Sequence, residues 1–249
     1  MTIAVDQARG PLSLDDVARR LMRRRPAAAP FVVGITGSVA VGKSTFAGAL
    51  AKALPADVAA SPLELVGTDG FLLPNAVLDA RGLTMRKGYP ESFDAEAIAA
   101  ALGAVRSGKA VFPGYSHVTY DTDPALERLI DRPGVLVVEG LGLGPHRGLI
   151  HALIYLDADE ADLEAWFIAR FMDFWAAAEH DPTSFYARFR GMDGAAAAEL
   201  ARSVWTGINL PNLRQHIFPQ RALADLVVRK GPDHEIVEIL EGHGQGARL

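Results

Sequence analysis

Two sets of residues in this chain could do phosphate chemistry. The first is the run Gly37-Ser38-Val39-Ala40-Val41-Gly42-Lys43-Ser44, which matches G-x-x-x-x-G-K-[ST]. Glycines at both ends let the backbone curl so that successive N–H groups face inward, where they can hold phosphate oxygens. Lys43 is placed to reach the β- and γ-phosphates of a nucleotide, and the Ser44 hydroxyl to bind Mg²⁺. The second set is a pair of carboxylates, Asp69 in Thr68-Asp69-Gly70-Phe71 and Glu139 after the apolar run Val135–Val138. A carboxylate beside a γ-phosphate can accept the proton of an attacking hydroxyl or help to hold the metal ion. Together they point to an ATP- and Mg²⁺-dependent transfer of phosphate to a small-molecule hydroxyl.

These groups work only if the elements around them converge. Phe31–Thr36 reads as a strand entering the glycine loop, and Lys43–Leu54 as the helix leaving it, with Phe46, Leu50 and Leu54 on one face. Further strands are predicted at 63–66, 135–138, 152–156, 226–228 and 236–239. Helices are predicted at 94–105 (capped by Asp94), 161–178, 182–190 and 195–208. Alternating strands and helices imply an α/β fold with a mainly parallel sheet covered on both faces, a P-loop NTPase fold. Ligands in such sheets bind beyond the carboxyl ends of the strands, where both carboxylates fall. Residues 1–30 read as a helical lead-in and linker, and 31–249 as one P-loop kinase domain. Ser13-Leu14-Asp15-Asp16 is a helix start, and Arg19, Arg20 and Arg23–Arg25 fall in its last turns, where cations suit the helix dipole. An anionic partner is the other reading of that cluster. Residues 242–249 are glycine-rich and expected to fray.

Composition narrows the class. The net charge of −5 argues against a dedicated nucleic-acid binder. The chain has no cysteine, which excludes thiolate metal sites and cysteine nucleophiles. There is no apolar run of about 20 residues to span a membrane, and residues 1–10 lack the apolar core of a secretory signal. A cytoplasmic protein is expected. No N-K-x-D segment is present for reading guanine, and no L-S-G-G-Q segment of the transporter ATPases. Asp79-Ala80-Arg81-Gly82 matches D-x-x-G, but without its partner motif it reads as chance.

Beyond the loop, Thr68-Asp69-Gly70-Phe71-Leu72, 87–94 (Lys-Gly-Tyr-Pro-Glu-Ser-Phe-Asp), Tyr115-Ser116-His117, Ala169-Arg170-Phe171 and 208–213 (Ile-Asn-Leu-Pro-Asn-Leu) follow one another in order. From Phe31 to about Ile239 the chain resembles the bacterial type I pantothenate kinases, of the phosphoribulokinase/uridine kinase group. The resemblance implies transfer of phosphate from ATP to the primary hydroxyl of pantothenate, giving 4'-phosphopantothenate on the way to coenzyme A. It implies that residues 37–45, through Thr45, hold the nucleotide, with Lys43 and Arg170 steadying the transferring group and Asp69 as base. Ser44 and Glu139 would serve Mg²⁺, and His234 would lie beside the adenine. The acceptor pocket would include Tyr115, His117, Tyr120, Phe167, Phe171, Glu179 and Asn209, and the enzyme would be a homodimer. The chain departs from the family where Phe167 replaces a hydrogen-bonding tyrosine, Glu179 or a neighbour a pocket phenylalanine and Gly48 a basic residue involved in feedback. A kinase of the same group acting on a sugar, a glycerate-like acid or a nucleoside is the alternative acceptor reading, and a nucleotide-binding regulator the non-enzymatic one.

Overall fold

Six strands form the central sheet of the computed structural model, which describes residues 11–242 apart from 29, 56, 57 and 59–61. The expectations for residues 1–10 and 243–249 lie outside the described residues. The strands are β1 (Phe31–Gly37), β2 (Leu63–Gly67), β7 (Val135–Glu139), β8 (Ala152–Asp157), β9 (Leu226–Lys230) and β10 (Ile236–Glu241). Their spatial order is β10-β9-β8-β1-β7-β2, all parallel except β10, which returns antiparallel along β9. Every predicted strand is present. β1 and β7 are apolar runs because both of their faces are covered, and β1 is buried along its whole length.

Helix α1 (Leu14–Met22) starts where predicted, with the Ser13 N–H donating to the Asp16 carboxylate at 2.9 Å. Its Val17, Ala18 and Leu21 are buried in the same core as Phe31, Leu50 and Trp205. The arginine cluster is spent largely within the molecule. Arg20 donates to the carbonyl of Ile239, Arg23 and Arg24 pair with Glu241, and Arg24 lies 3.6 Å from Asp225. Asp225 is 3% exposed on its side chain and also accepts from Arg147 (2.6 Å) and from the Leu153 N–H (2.7 Å). Helix α2 (Lys43–Ala53) follows the glycine loop, α3 is Asn75–Ala80, and α4 (Ala95–Arg106) is capped by the Asp94 side chain on the Ala97 N–H. The D-x-x-G match at 79–82 is the end of α3, with Gly82 at φ 67°. The long helix α5 is Glu160–Ala177 and α6 is Gly194–Val204.

Two helical expectations change. Residues 182–190 form only a short 3₁₀ turn, Phe185–Phe189, because Phe185, Tyr186 and Phe189 pack on Tyr120, Phe171 and Phe174 and the Phe185 N–H is taken by the Val118 carbonyl at 2.8 Å. The helix expected to run to Ile208 widens after Val204 into a π-helical turn, Trp205–Asn209, just before Pro211, which has no N–H to continue the ladder. Two small hairpins pass unpredicted: β3 (Lys109–Phe112) with β6 (Arg128–Asp131), and β4 (Tyr115–Ser116) with β5 (Asp121–Thr122).

Replacing Asp225 leaves Arg147 buried without its carboxylate and the Leu153 N–H without an acceptor. Asp225→Ala is expected to lower unfolding free energy by about 3–5 kcal/mol in urea titrations.

Candidate active site

β2, β7 and β1 run parallel and in register, with Gly67 opposite Glu139 and Glu139 opposite Ile35. Their carboxyl ends therefore deliver Asp69, Glu139 and the glycine loop to one edge of the sheet. The loop needs its glycines. A Cβ on Gly37 (φ 144°) would sit 2.4 Å from the Leu156 carbonyl oxygen, and Gly42 caps α2 in the left-handed region at φ 82°. Ala40 holds φ 63°, so the loop is wound even where no glycine allows it.

A cleft of about 770 Å³ opens over this edge. On one side it is lined by the loop (Val39, Ala40, Gly42, Lys43, Ser44, Thr45), and by Glu139 and Asp69. Gly37, Ser38 and Val41 form the loop's buried base, and the Ser38 hydroxyl has no partner within the protein. The Lys43 ammonium folds back on the carbonyls of Ser38 (2.9 Å) and Gly37 (3.2 Å). Burial pushes its pKa down, Glu139 and Asp69 oppose that, and Arg170 adds to it. The Ser44 hydroxyl donates to Glu139 Oε1 at 2.7 Å. A hydroxyl and a carboxylate in contact beside a phosphate cradle fit Mg²⁺, a hard cation that commonly takes one or two protein oxygens and completes its shell with phosphate and water. Among the described residues no cluster of three or more His, Cys, Asp or Glu offers another metal site.

The opposite side holds the residues read as acceptor-binding. Tyr115, His117 and Tyr120 come from the β4–β5 hairpin, and Asn209 from the π turn. Burial raises the phenol pKa of Tyr115 and of Tyr120, so both stay neutral donors. Arg170 reaches the cleft from α5, exposed, with its guanidinium 5.3 Å from the Phe174 ring. His234 (φ 62°) stacks on Trp166 at 3.9 Å, and the Trp166 indole donates to the Pro232 carbonyl. The face of α5 toward the cleft is Trp166, Ala169, Arg170 and Asp173, at the i, i+3, i+4, i+7 spacing of one helical stripe. Phe167 and Phe171 are each one position off that stripe. Phe167 packs near Trp205 and Phe171 is buried against Tyr186, so neither lines the cleft. Glu179 lies past the end of α5, exposed and away from the cleft.

Sequence reasoning passed over two lysines that line the cleft. Lys87 donates to Asn75 Oδ1 (2.6 Å) and to the Tyr120 carbonyl (2.5 Å), with its ammonium 4.6 Å from the Tyr120 ring. Burial lowers its pKa to about 8, against the pull of Asp121 and Asp69. It lies in the 87–94 segment, but nothing in its sequence neighbours marks it as shielded. Lys230, at the end of β9, donates to the Val41 carbonyl of the loop at 2.9 Å.

A P-loop and the Asp69 carboxylate in one cleft, at the carboxyl ends of a parallel sheet, mark the class of P-loop phosphotransferases. The phosphoribulokinase/uridine kinase family model matches residues 32–172. A pantothenate kinase from Rhizobium johnstonii is 41% identical over 243 residues, covering 92% of this chain and 71% of the relative. One from a Chelativorans species is 42% identical over 225 residues, covering 84% and 70%. Among solved structures, one named as a "putative fructose transport system kinase" from Silicibacter sp. TM1040 aligns at 26% identity with TM-score 0.66, over 82% of this chain and 93% of the other. D-glycerate 3-kinase from Cryptococcus neoformans shares the fold, at 12% identity and TM-score 0.62 over 92% and 98%. The chain belongs to the phosphoribulokinase/uridine kinase family. It is a kinase, not a non-catalytic regulator.

The depressed pKa gives Lys87 a signature. The folded state sheds this proton more readily than the unfolded chain, whose lysine titrates near 10.4. The penalty for its charge is therefore fully present below pH 8 and is relieved as pH rises from about 8 toward the unfolded value. Reductive methylation of Lys87, followed by peptide mass spectrometry, is expected to show a midpoint near pH 8, below the ordinary lysine range.

Proposed function

We propose that this kinase transfers the γ-phosphoryl group of ATP to the primary hydroxyl of pantothenate. Asp69 lining one cleft together with the glycine loop is the observation that carries a hydroxyl-directed reaction. The acceptor's identity is supported by the pantothenate kinases that align at about 41% identity over most of the chain. Its carboxylate, amide and hydroxyls suit a pocket of phenol, imidazole, amide and cationic side chains.

In this reading the loop N–H groups and Lys43 hold the β- and γ-phosphates. Ser44 and Glu139 would hold Mg²⁺, which supplies charge neutralisation across the phosphates. The Asp69 carboxylate accepts no hydrogen bond among the described residues, whereas its backbone carbonyl takes the Leu72 N–H, so the carboxylate oxygens are free to accept the acceptor proton. As that proton leaves, the hydroxyl oxygen bonds to the γ-phosphorus and the bond to the β,γ-bridging oxygen breaks, releasing ADP. Arg170, on the far wall, meets the charge spread over the transferring group. Tyr115, His117, Tyr120 and Asn209 orient the acceptor so that its hydroxyl lies between Asp69 and the phosphate. A sugar, glycerate-like or nucleoside acceptor is the second reading, and the fructose transport system kinase is the neighbour that favours it.

An ATP-consumption screen over pantothenate, uridine, fructose and glycerate is expected to show turnover with pantothenate. Turnover with another of these and none with pantothenate overturns the acceptor. Asp69→Asn is expected to lose about 10²–10⁴-fold in kcat while ATP affinity measured by calorimetry stays near wild type. Near-normal kcat would remove Asp69 from the role of base.

A further inference from the structure

Lys230 is 7% exposed, and its ammonium has no carboxylate partner in any ion pair among the described residues. One of its three N–H donors goes to the Val41 carbonyl. Its Nζ lies 3.1 Å from where a Cβ on Gly42 would stand, directly against the N-terminal end of α2. That end already carries the positive pole of the helix, and Lys43 begins the helix. The two lysines differ in what offsets their charge. Lys43 faces Glu139 and Asp69, whereas no acidic group opposes the effect of burial on Lys230. The Lys230 charge also bears on His234, four residues on in the β9–β10 turn, lowering its pKa together with burial. A buried cation stacked on a helix N-terminus is unfavourable on its own and favourable only beside an anion.

We propose that Lys230 is the second cation of the phosphate cradle, contacting a phosphate of the bound nucleotide from the β9 side of the loop. The inference rests on the glycine loop taking a nucleoside di- or triphosphate. Lys43 then serves the end of the phosphate chain near the carboxylates, and Lys230 serves the end toward His234. Since β9 carries Lys230 and the turn after it carries His234, one hairpin faces both the phosphates and the neighbouring end of the cleft. The competing role is a clamp: Lys230 tethers Val41 and merely keeps the loop wound.

Calorimetric titrations of ADP with Mg²⁺, and of adenosine alone, separate the roles in wild type, Lys230→Met and Lys230→Gln. Loss of a charge-assisted contact is expected to weaken ADP binding about tenfold or more in both variants, with adenosine binding changed less than about twofold. The thermal midpoint without nucleotide is expected to stay the same or rise, because an uncompensated buried charge is gone. Unchanged ADP affinity in Lys230→Met, equal losses for ADP and adenosine, or recovery of ADP affinity by the uncharged donor in Lys230→Gln would each overturn the inference. A lowered midpoint or an unfolded variant would do so too, assigning the clamp role. Wild-type protein that binds no ADP would instead remove the nucleotide reading beneath it.

Discussion

The site depends on three parallel strands ending at the same level. β2, β7 and β1 are in register, and the turns after them pack so closely that side chains are excluded at the joints. The Thr68 N–H donates to the Glu139 carbonyl and the Gly140 N–H to the Ile35 carbonyl, each at 2.9 Å, tying the three ends together. A Cβ on Gly140 (φ 140°) would fall 1.9 Å from Thr68 Oγ1, and one on Gly70 would fall 1.8 Å from the Pro113 carbonyl oxygen. These approaches hold Asp69, Glu139 and the glycine loop in fixed relation. A carboxylate base is useful only where the phosphate cradle is, and here neither can shift without the other's strand.

Charge is then distributed by distance from those strand ends. Lys43, balanced by Glu139 and Asp69, sits at the centre. Lys87 is folded against the Tyr115 and Tyr120 rings, and Lys230, buried against the Val41 carbonyl of the loop, lines the cleft from β9. Arg170 stays exposed on the cleft face of α5. The wall formed by Tyr115, His117 and Tyr120 is itself anchored, since the β4–β5 hairpin tip is bound through Val118 to Phe185, and Tyr120 packs on that ring at 4.8 Å. An aromatic wall carrying one shielded ammonium, Lys87, thus shares the cleft with a loop flanked by Lys43 and Lys230.

Much of this was legible from local pattern. The glycine loop, the apolar runs of the six strands and the Asp94 and Ser13 caps are written in contiguous residues, and they recur in the structure. The two hairpins were not, because strands of two to four residues carry too little alternation and their partners are fixed by tertiary packing. Phe167 and Phe171 show a different limit: one position along a helix separates the cleft face from the core, and segment resemblance does not resolve it. Lys230 could not be found at all from sequence. A lysine at a strand end ordinarily reaches solvent, and only the fold places this one under Val41.

If donor and acceptor meet in this one cleft, the phosphoryl group passes between them in a single displacement. Chiral γ-[¹⁶O,¹⁷O,¹⁸O]phosphoryl ATP, turned over with the acceptor that the kinase uses, tests this at the phosphorus atom. Direct in-line attack by a hydroxyl that Asp69 deprotonates requires inversion of configuration. Retention would mean two displacements through a phosphorylated enzyme group, and would contradict the direct transfer that the Asp69–loop geometry supports.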